Sequence, residues 1–154
     1  MQVSIVSFPA TKVAGIRYVG PPSGEHEAVR KLVAWKLENR LLDQTRYRSY
    51  GLHYTDSRTT DPAEYRVDFC LSYDGSVEPN PYGIIEMTIP AMRCAMARDV
   101  GSRFNNKAAR YLYDEWLPQS GEQMAGLPLV FHYVNVGPAV KECEAITDVY
   151  LPLK

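Results

Sequence analysis

This 154-residue sequence lacks the features that mark a membrane or secreted protein. It has no run approaching the roughly 20 apolar residues that cross a bilayer. Its first residues show no basic region followed by an apolar run, so we expect neither a membrane span nor a signal peptide. Its three cysteines, Cys70, Cys94 and Cys143, fit neither a disulfide framework nor zinc-ligand spacing. We therefore expect a cytoplasmic protein with no cofactor.

The sequence also lacks a charge imbalance and the common catalytic motifs. Its 17 Lys and Arg residues against 18 Asp and Glu leave a net charge of -1, so we expect no direct binding of nucleic acid. There is no glycine-rich phosphate loop and no G-x-S-x-G nucleophile motif. We expect no metal either, although four side chains of the right chemistry lie far apart in sequence: His53, Asp68, His132 and Asp148.

What the sequence does contain is an internal duplication. Residues 8–20 match residues 89–101 at an offset of 81, with Pro, Ala, Arg, Val and Gly repeated in register. Residues 52–56 match 131–135 at an offset of 79, and Glu64, Asp68 and Leu71 match Glu144, Asp148 and Leu151 at 80. Self-similarity in one order along the chain predicts a repeated structural unit. We expect one domain, residues 1–154, with repeats of approximately 1–75 and 82–154.

The periodicity of apolar residues predicts two strands, a helix and two strands in each repeat. The first helix is expected to begin near Ser23, as its N-cap, with an apolar stripe of Val29, Leu32, Val33 and Leu37. The second is expected over 105–117. The fold class is therefore α+β, with duplicated ββαββ halves related by a pseudo-twofold axis. We expect an antiparallel sheet with two main helices on one face and a cleft between the halves.

Strand alternation predicts which polar side chains share a face of the sheet. Leu52 would point toward the helices and His53 away from them. The face opposite the helices would then carry the duplicated polar set His53, Asp68, His132, Asp148 and Tyr150. Either a solvated sheet face or the floor of a ligand pocket explains this set. Trp116 lies on the apolar helix face, where it serves the core, a pocket, or both.

With these segments in place, the chain resembles the GyrI-like family, the gyrase-inhibitor-like domain that is also the effector-binding domain of many AraC-type regulators. The resemblance spans essentially the whole chain and is carried by the segments 13–20, 50–52, 89–91, 116–121, 127–133 and 148–153. It implies a duplicated ββαββ fold with a ligand cleft. Family members bind hydrophobic or cationic small molecules, some stand-alone members are hydrolases, and one branch inhibits DNA gyrase.

One position departs from the family pattern. The family usually carries Glu where this chain has His132, and that buried carboxylate pairs with cationic ligands and serves the hydrolytic members. A neutral imidazole supplies no fixed negative charge, although it can act as a base. The resemblance retains Trp116 and Tyr150 as aromatic ligand contacts. The expected ligand-binding set is therefore His53, Asp68, Trp116, His132, Asp148 and Tyr150.

These observations predict a stand-alone domain that senses or sequesters a hydrophobic or aromatic, xenobiotic-like small molecule, with a link to transcriptional regulation through a separate regulator. One alternative is a hydrolase of small electrophiles, with His132 as base and Tyr150 or Asp148 assisting. Another is a gyrase inhibitor that acts by protein–protein contact, although the balanced charge supplies no acidic surface that mimics DNA. No membrane partner is expected, and the oligomeric state is left open.

Overall fold

The computed structural model describes residues 1–56 and 59–154 and shows an α+β fold of two ββαββ halves, as the sequence predicted. The first half contains β1 Ser4–Phe8, β2 Thr11–Val19, α1 Glu25–Glu38, β3 Ser49–His53 and β4 Arg66–Ser72. The second half contains β5 Ile85–Ile89, β6 Met92–Val100, α2 Lys107–Tyr111, α3 Leu117–Ser120, β7 Leu129–Tyr133 and β8 Ile146–Pro152. Within the described part of the chain, no helix has the length and apolar character needed to traverse a bilayer.

All eight strands form one antiparallel sheet in the order β1-β6-β8-β7-β3-β4-β2-β5. This order is symmetric about the contact between β3 and β7, which therefore marks the pseudo-twofold axis. The first strand of each half pairs with the other half, since β1 pairs with β6 and β5 pairs with β2. Each half is thus completed by a strand from its duplicate, an exchange that the sequence pattern did not predict.

The exchanged strands form one long, bent ribbon. Ser4 lies opposite Met96 in β6, and the same register continues past the bend to Gly15, which lies opposite Ile85 in β5. The bends lie at residues 9–10 and 90–91, where the duplicated Pro-Ala pairs separate β1 from β2 and β5 from β6. Proline cannot donate to a ladder hydrogen bond, which suits it to such a break between strands.

The sheet is strongly curled. The ring of Phe8 in the edge strand β1 lies 6.0 Å from that of Tyr50 in the central strand β3. In a flat sheet these strands, four spacings apart, would be separated by roughly 19 Å. The curl therefore encloses a core on the face away from the helices, which also includes Leu52, Cys70 and Val130. Two further cores lie under the helices, one in each half.

Helix α1 packs on β2 and β4 through a stripe that shares only Leu32 with the predicted one. It buries Ala28, Leu32 and Trp35, whereas Val29, Val33 and Leu37 are exposed. The spacing 28, 32, 35 also follows one helix face, and the sheet selects that face. Ser23 is not the N-cap, because it lies in a 3-10 turn over Pro22–Gly24 and Gly24 occupies the cap position.

The second helical segment continues past its predicted end. A π-helical turn, Leu112–Trp116, joins α2 to α3, and the helix runs to Ser120 before Gly121 ends it in the left-handed conformation at φ 75°. The helix was expected to end at residue 117, but Pro118 lies in the first turn of α3. The wider π turn changes the hydrogen-bond register just before Pro118. A proline has no backbone N–H to donate, so it suits a position at which the regular pattern is interrupted.

Candidate functional site

The helix side of the two central strands lies between the two helices, where a cleft between the halves would form. Helix α1 packs mainly on β2 and β4, and α2 packs on β6 and β8. Strands β3 and β7 lie between these two pairs and cross the pseudo-twofold axis. The helix-side residues at their centre are Gly51, His53, Phe131 and Tyr133, which we call the cleft floor.

His53 is the polar centre of the cleft floor. Its ring lies 4.1 Å from the ring of Phe131, tilted by 34°. Its Nε2 atom is buried and makes no hydrogen bond with any residue that the structure describes. Burial lowers the pKa of His53 to about 4, so the imidazole is neutral at physiological pH. An unpaired buried nitrogen is unfavourable, and a ligand that supplies a hydrogen bond would relieve that cost.

Gly51 leaves room for the side chain of Tyr133. A Cβ atom at residue 51 would collide with the hydroxyl oxygen of Tyr133 and would lie 3.3 Å from Nε2 of His53. The absence of a side chain at Gly51 thus lets both polar groups approach the strand backbone. Burial is the largest cause of a raised pKa of Tyr133, followed by the negative charge of Glu25. The phenol therefore stays protonated and can donate a hydrogen bond.

Trp116 stands at the edge of the second core. It is half-buried and packs, like Phe131, against the core under α2. Its duplicate Trp35 is fully buried and meets Tyr73 edge-on at 5.4 Å. Trp116 is the last residue of the π-helical turn, a type of distortion that is frequent at functional sites. The duplicated tryptophans have thus diverged, one serving the core and one remaining accessible.

Two charged side chains that the sequence analysis did not identify lie beside Tyr133. The guanidinium of Arg103 is 5.2 Å from the centre of the Tyr133 ring, and it donates to the carbonyl oxygens of Asn135 and Ile146. Glu25 accepts a 3.3 Å hydrogen bond from Tyr65, and burial raises its pKa. No sequence motif marks either residue, because both reach the cleft from loops or a helix end.

Four of the six predicted ligand-binding residues lie on the face away from the helices: Asp68, His132, Asp148 and Tyr150. The prediction that His53 shares that face is wrong. Asp68 lies across from Leu52, and its duplicate Asp148 lies across from His132. His132 therefore corresponds to Leu52, and His53 corresponds to Tyr133. The apparent match between the two histidines is offset by one residue, which reverses the face of a strand residue.

The two aspartates are bound by duplicated arginines. Arg98 makes a bidentate contact with Asp148, at 2.7 and 3.0 Å. Asp68 is fully buried between Arg17 at 3.7 Å and Arg66 at 3.4 Å. The negative charges of both aspartates are thus paired with arginines of the sheet. This arrangement does not support the prediction that they contact a ligand.

His132 and Tyr150 belong to the enclosed side of the sheet. The His132 ring lies 5.1 Å from that of Tyr50, and Tyr150 meets Phe8 edge-on, also at 5.1 Å. Burial lowers the pKa of His132, although the nearby charge of Asp148 opposes that shift. His132 therefore lies on the face away from the helices, where the sequence analysis placed it, and opposite to the cleft floor defined above. Whether either residue contacts a ligand stays a prediction.

A metal centre finds no support in this arrangement. His53 lies on the opposite face of the sheet from His132, Asp68 and Asp148, so the four candidate ligands do not converge. Among residues 1–56 and 59–154, no group of three or more His, Cys, Asp or Glu side chains is placed to hold an ion.

Comparison with known proteins gives a consistent family match. A family model described as the GyrI-like small molecule binding domain matches residues 1–154. A protein of Escherichia coli K12 named "Probable transcriptional regulator YgiV" is 32% identical over 154 residues, covering 99% of this chain and 96% of its own length. The "DNA gyrase inhibitor" of Erwinia billingiae is 29% identical, covering 99% and 97%.

Solved structures share the fold at low sequence identity. The EcmrR C-terminal domain has a TM-score of 0.73 at 17% identity, with 99% of this chain and 97% of that chain covered. EcmrR in a complex with DNA has a TM-score of 0.77 at 14% identity, and this chain covers 57% of that longer chain. A hydrolase from Listeria innocua has a TM-score of 0.67 at 12% identity, with 99% and 92% covered.

Proposed function

Because this chain belongs to the GyrI-like family of small-molecule-binding domains, we propose that it binds a hydrophobic or aromatic small molecule at the cleft floor and so senses or sequesters that compound. The observation that carries this proposal is the buried, unpaired Nε2 of His53 among aromatic rings. Apolar surroundings with one convergent polar group are typical of small-molecule sites.

The charges around the cleft floor, including the Arg103 cation beside Tyr133, favour a neutral ligand over a cationic one. His53 is neutral and Tyr133 stays protonated, so the floor itself carries no charge. A buried organic cation would need a paired carboxylate. Glu25 is the nearby acid, but its pKa is raised and it already accepts a hydrogen bond from Tyr65. A flat, neutral compound with one hydrogen-bonding group fits these surroundings better than a cation does.

Aromatic rings already cover the cleft floor. The Phe131 and His53 rings lie against each other and cover the floor, so a ligand must displace one of them or insert beside Trp116. Both Phe131 and Trp116 are half-buried and have solvent on one side. The ligand would then replace one aromatic contact with another, at little net loss of apolar burial.

The test is a thermal-shift screen of neutral, cationic and anionic aromatic compounds, followed by calorimetry on the hits. A ligand at 100 times its Kd should stabilise the native protein by about 2.7 kcal/mol. We expect His53→Leu to weaken a neutral hit at least tenfold. His26→Leu is the matched control, because His26 is exposed at the start of α1, and it should leave the Kd unchanged. Equal affinity in the two variants would contradict the proposal.

A link to transcription is the finer part of the proposal, and it is supported by the name of the relative YgiV and by the complex of EcmrR with DNA. We propose that ligand binding is communicated to a separate regulator. Transcripts quantified with and without the gene, before and after addition of the identified ligand, test this link. A ligand response that does not depend on the gene would exclude it.

The two alternatives have weaker support from the geometry. For a hydrolase, the predicted base His132 is not in the cleft, and His53, with a pKa of about 4, is a weak base near neutral pH. For gyrase inhibition, the support is the name of one relative. Unchanged turnover in His53→Leu and His132→Leu would exclude the first, and a supercoiling assay with no dose-dependent inhibition would exclude the second.

A further inference from the structure

A second candidate binding site lies at one end of the sheet. A depression of about 290 Å³ forms where the bend between β1 and β2 meets the segment entering β3 and the end of β4. We call it the basic depression, after Lys12, Arg46 and Arg48, which line it. None of its lining residues belongs to the cleft floor.

The basic depression carries an excess of positive charge. Its three cations are opposed by one lining carboxylate, Asp74, whose contact with Arg46 is a loose 4.0 Å between two exposed side chains. Lys12 donates to the carbonyl oxygen of Gly75 at 3.0 Å and lies 3.9 Å from Glu86. Exposed pairs of this length add little to stability, and three cations against the two carboxylates Asp74 and Glu86 leave one positive charge in excess. The depression therefore attracts anions.

Arg48 is the best-ordered cation of the three. Its Nε donates a 2.7 Å hydrogen bond to the hydroxyl of Tyr50, which fixes the plane of the guanidinium. Its backbone is held by Ser72, whose hydroxyl accepts from Arg48 N–H and donates to the Arg46 carbonyl, both at 2.8 Å. In the described part of the chain, no carboxylate lies within 4.0 Å of this half-buried guanidinium. A fixed guanidinium without a counterion suits a planar oxyanion, which it can bind through two parallel hydrogen bonds.

Two tyrosine rings supply an apolar surface beside these cations. Tyr47 and Tyr73 are both lining residues, with ring centroids 6.4 Å apart and planes tilted by 44°, and the Arg46 guanidinium lies 5.2 Å from the centre of the Tyr47 ring. Flat aromatic ligands stack against such rings, and the volume admits a single small ring. We propose that the basic depression binds a small aromatic oxyanion, an aryl carboxylate in form, whose carboxylate is held by Arg48 and whose ring rests on Tyr47 and Tyr73.

Calorimetry with benzoate, and with benzamide as its neutral isostere, tests the proposal. We expect benzoate to bind at least tenfold more tightly than benzamide and to weaken as salt is added. Arg48→Gln should weaken benzoate at least tenfold, and Arg46→Gln three- to tenfold. Arg30→Gln is the matched control, since Arg30 is exposed on α1 and pairs with Glu27, and it should change nothing. Equal affinity for benzoate and benzamide, or full affinity in Arg48→Gln, would overturn the proposal.

Two further measurements keep the outcome decisive. Because Arg46 is exposed, Arg46→Gln does not threaten the fold and tests the site even if Arg48→Gln unfolds. Inorganic phosphate that binds as tightly as benzoate would overturn the aromatic part of the proposal. Saturating the cleft with a neutral hit should leave the Kd of benzoate unchanged. Competition between the two would place benzoate in the cleft and overturn the second site while leaving the proposed function intact.

Discussion

His132 and Leu52 occupy equivalent positions in the two halves of the sheet, because each lies across a strand pair from one of the duplicated aspartates. Leu52 is buried in the enclosed core, and His132 extends the same face at half burial. The duplication has therefore diverged at this pair, and the polar member faces away from the cleft. The family pattern emphasised His132, whereas the geometry supports a site on the opposite face of the sheet, around His53.

His132→Leu gives residue 132 the same side chain as Leu52, its equivalent in the other half. Burial lowers the pKa of His132, so the imidazole is imperfectly accommodated there. We expect the free energy of unfolding at pH 7 to stay unchanged or to rise by up to about 1 kcal/mol, measured by urea denaturation. The Kd of a cleft ligand should stay within twofold. A tenfold loss of binding would instead return His132 to the ligand site.

Gly51→Ala should destabilise the protein by about 1–3 kcal/mol, because the added Cβ collides with the hydroxyl of Tyr133. The double variant Gly51→Ala with Tyr133→Phe removes the colliding oxygen and should recover part of the loss. A double-mutant cycle of urea midpoints measures this coupling. If the two changes are simply additive, the hydroxyl does not lie over Gly51 in solution.

The two tryptophans should report on different parts of the molecule. Trp35→Phe leaves Trp116 as the sole tryptophan, and a cleft ligand should still quench its fluorescence. Trp116→Phe leaves the buried Trp35, whose emission should hardly respond. Truncation to Ala should cost about 3–5 kcal/mol at Trp35, which is 4% exposed, and less at half-buried Trp116. Quenching carried by Trp35 alone would contradict this assignment.

Stability should fall as the pH is lowered from about 6.5 to about 4 because of His53. The folded pKa of about 4 lies below the ordinary value of 6.5, so the unfolded chain binds more protons across this window. The full shift corresponds to at most about 3 kcal/mol. His53→Phe keeps a ring against Phe131 but cannot titrate, so its urea midpoint should depend less on pH. His26→Phe is the control, and an equal pH slope in all three proteins would exclude a buried, neutral His53.

The sequence predicted the α+β class and the ββαββ halves because those depend on local periodicity and on a repeat that spans the chain. It also indicated that Trp116 lies on an apolar helix face and that the polar residues Asp68, His132, Asp148 and Tyr150 share a sheet face. Alternation separates the two faces within each strand, since successive side chains point to opposite faces, but it does not by itself decide which residues of different strands share a face.

Only the tertiary structure decided the register between strands. The two histidines match at an offset of 79 in the sequence, whereas β3 and β7 are equivalent at an offset of 80, and this one-residue difference places His53 and His132 on opposite faces of the sheet. The tertiary structure also decided the exchange of β1 and β5 between the halves and the curl that brings Phe8 beside Tyr50. It decided as well that α1 turns the face with Trp35, and not the face with Val33, toward the sheet. Each depends on contacts between residues far apart in the chain, which a local pattern does not encode.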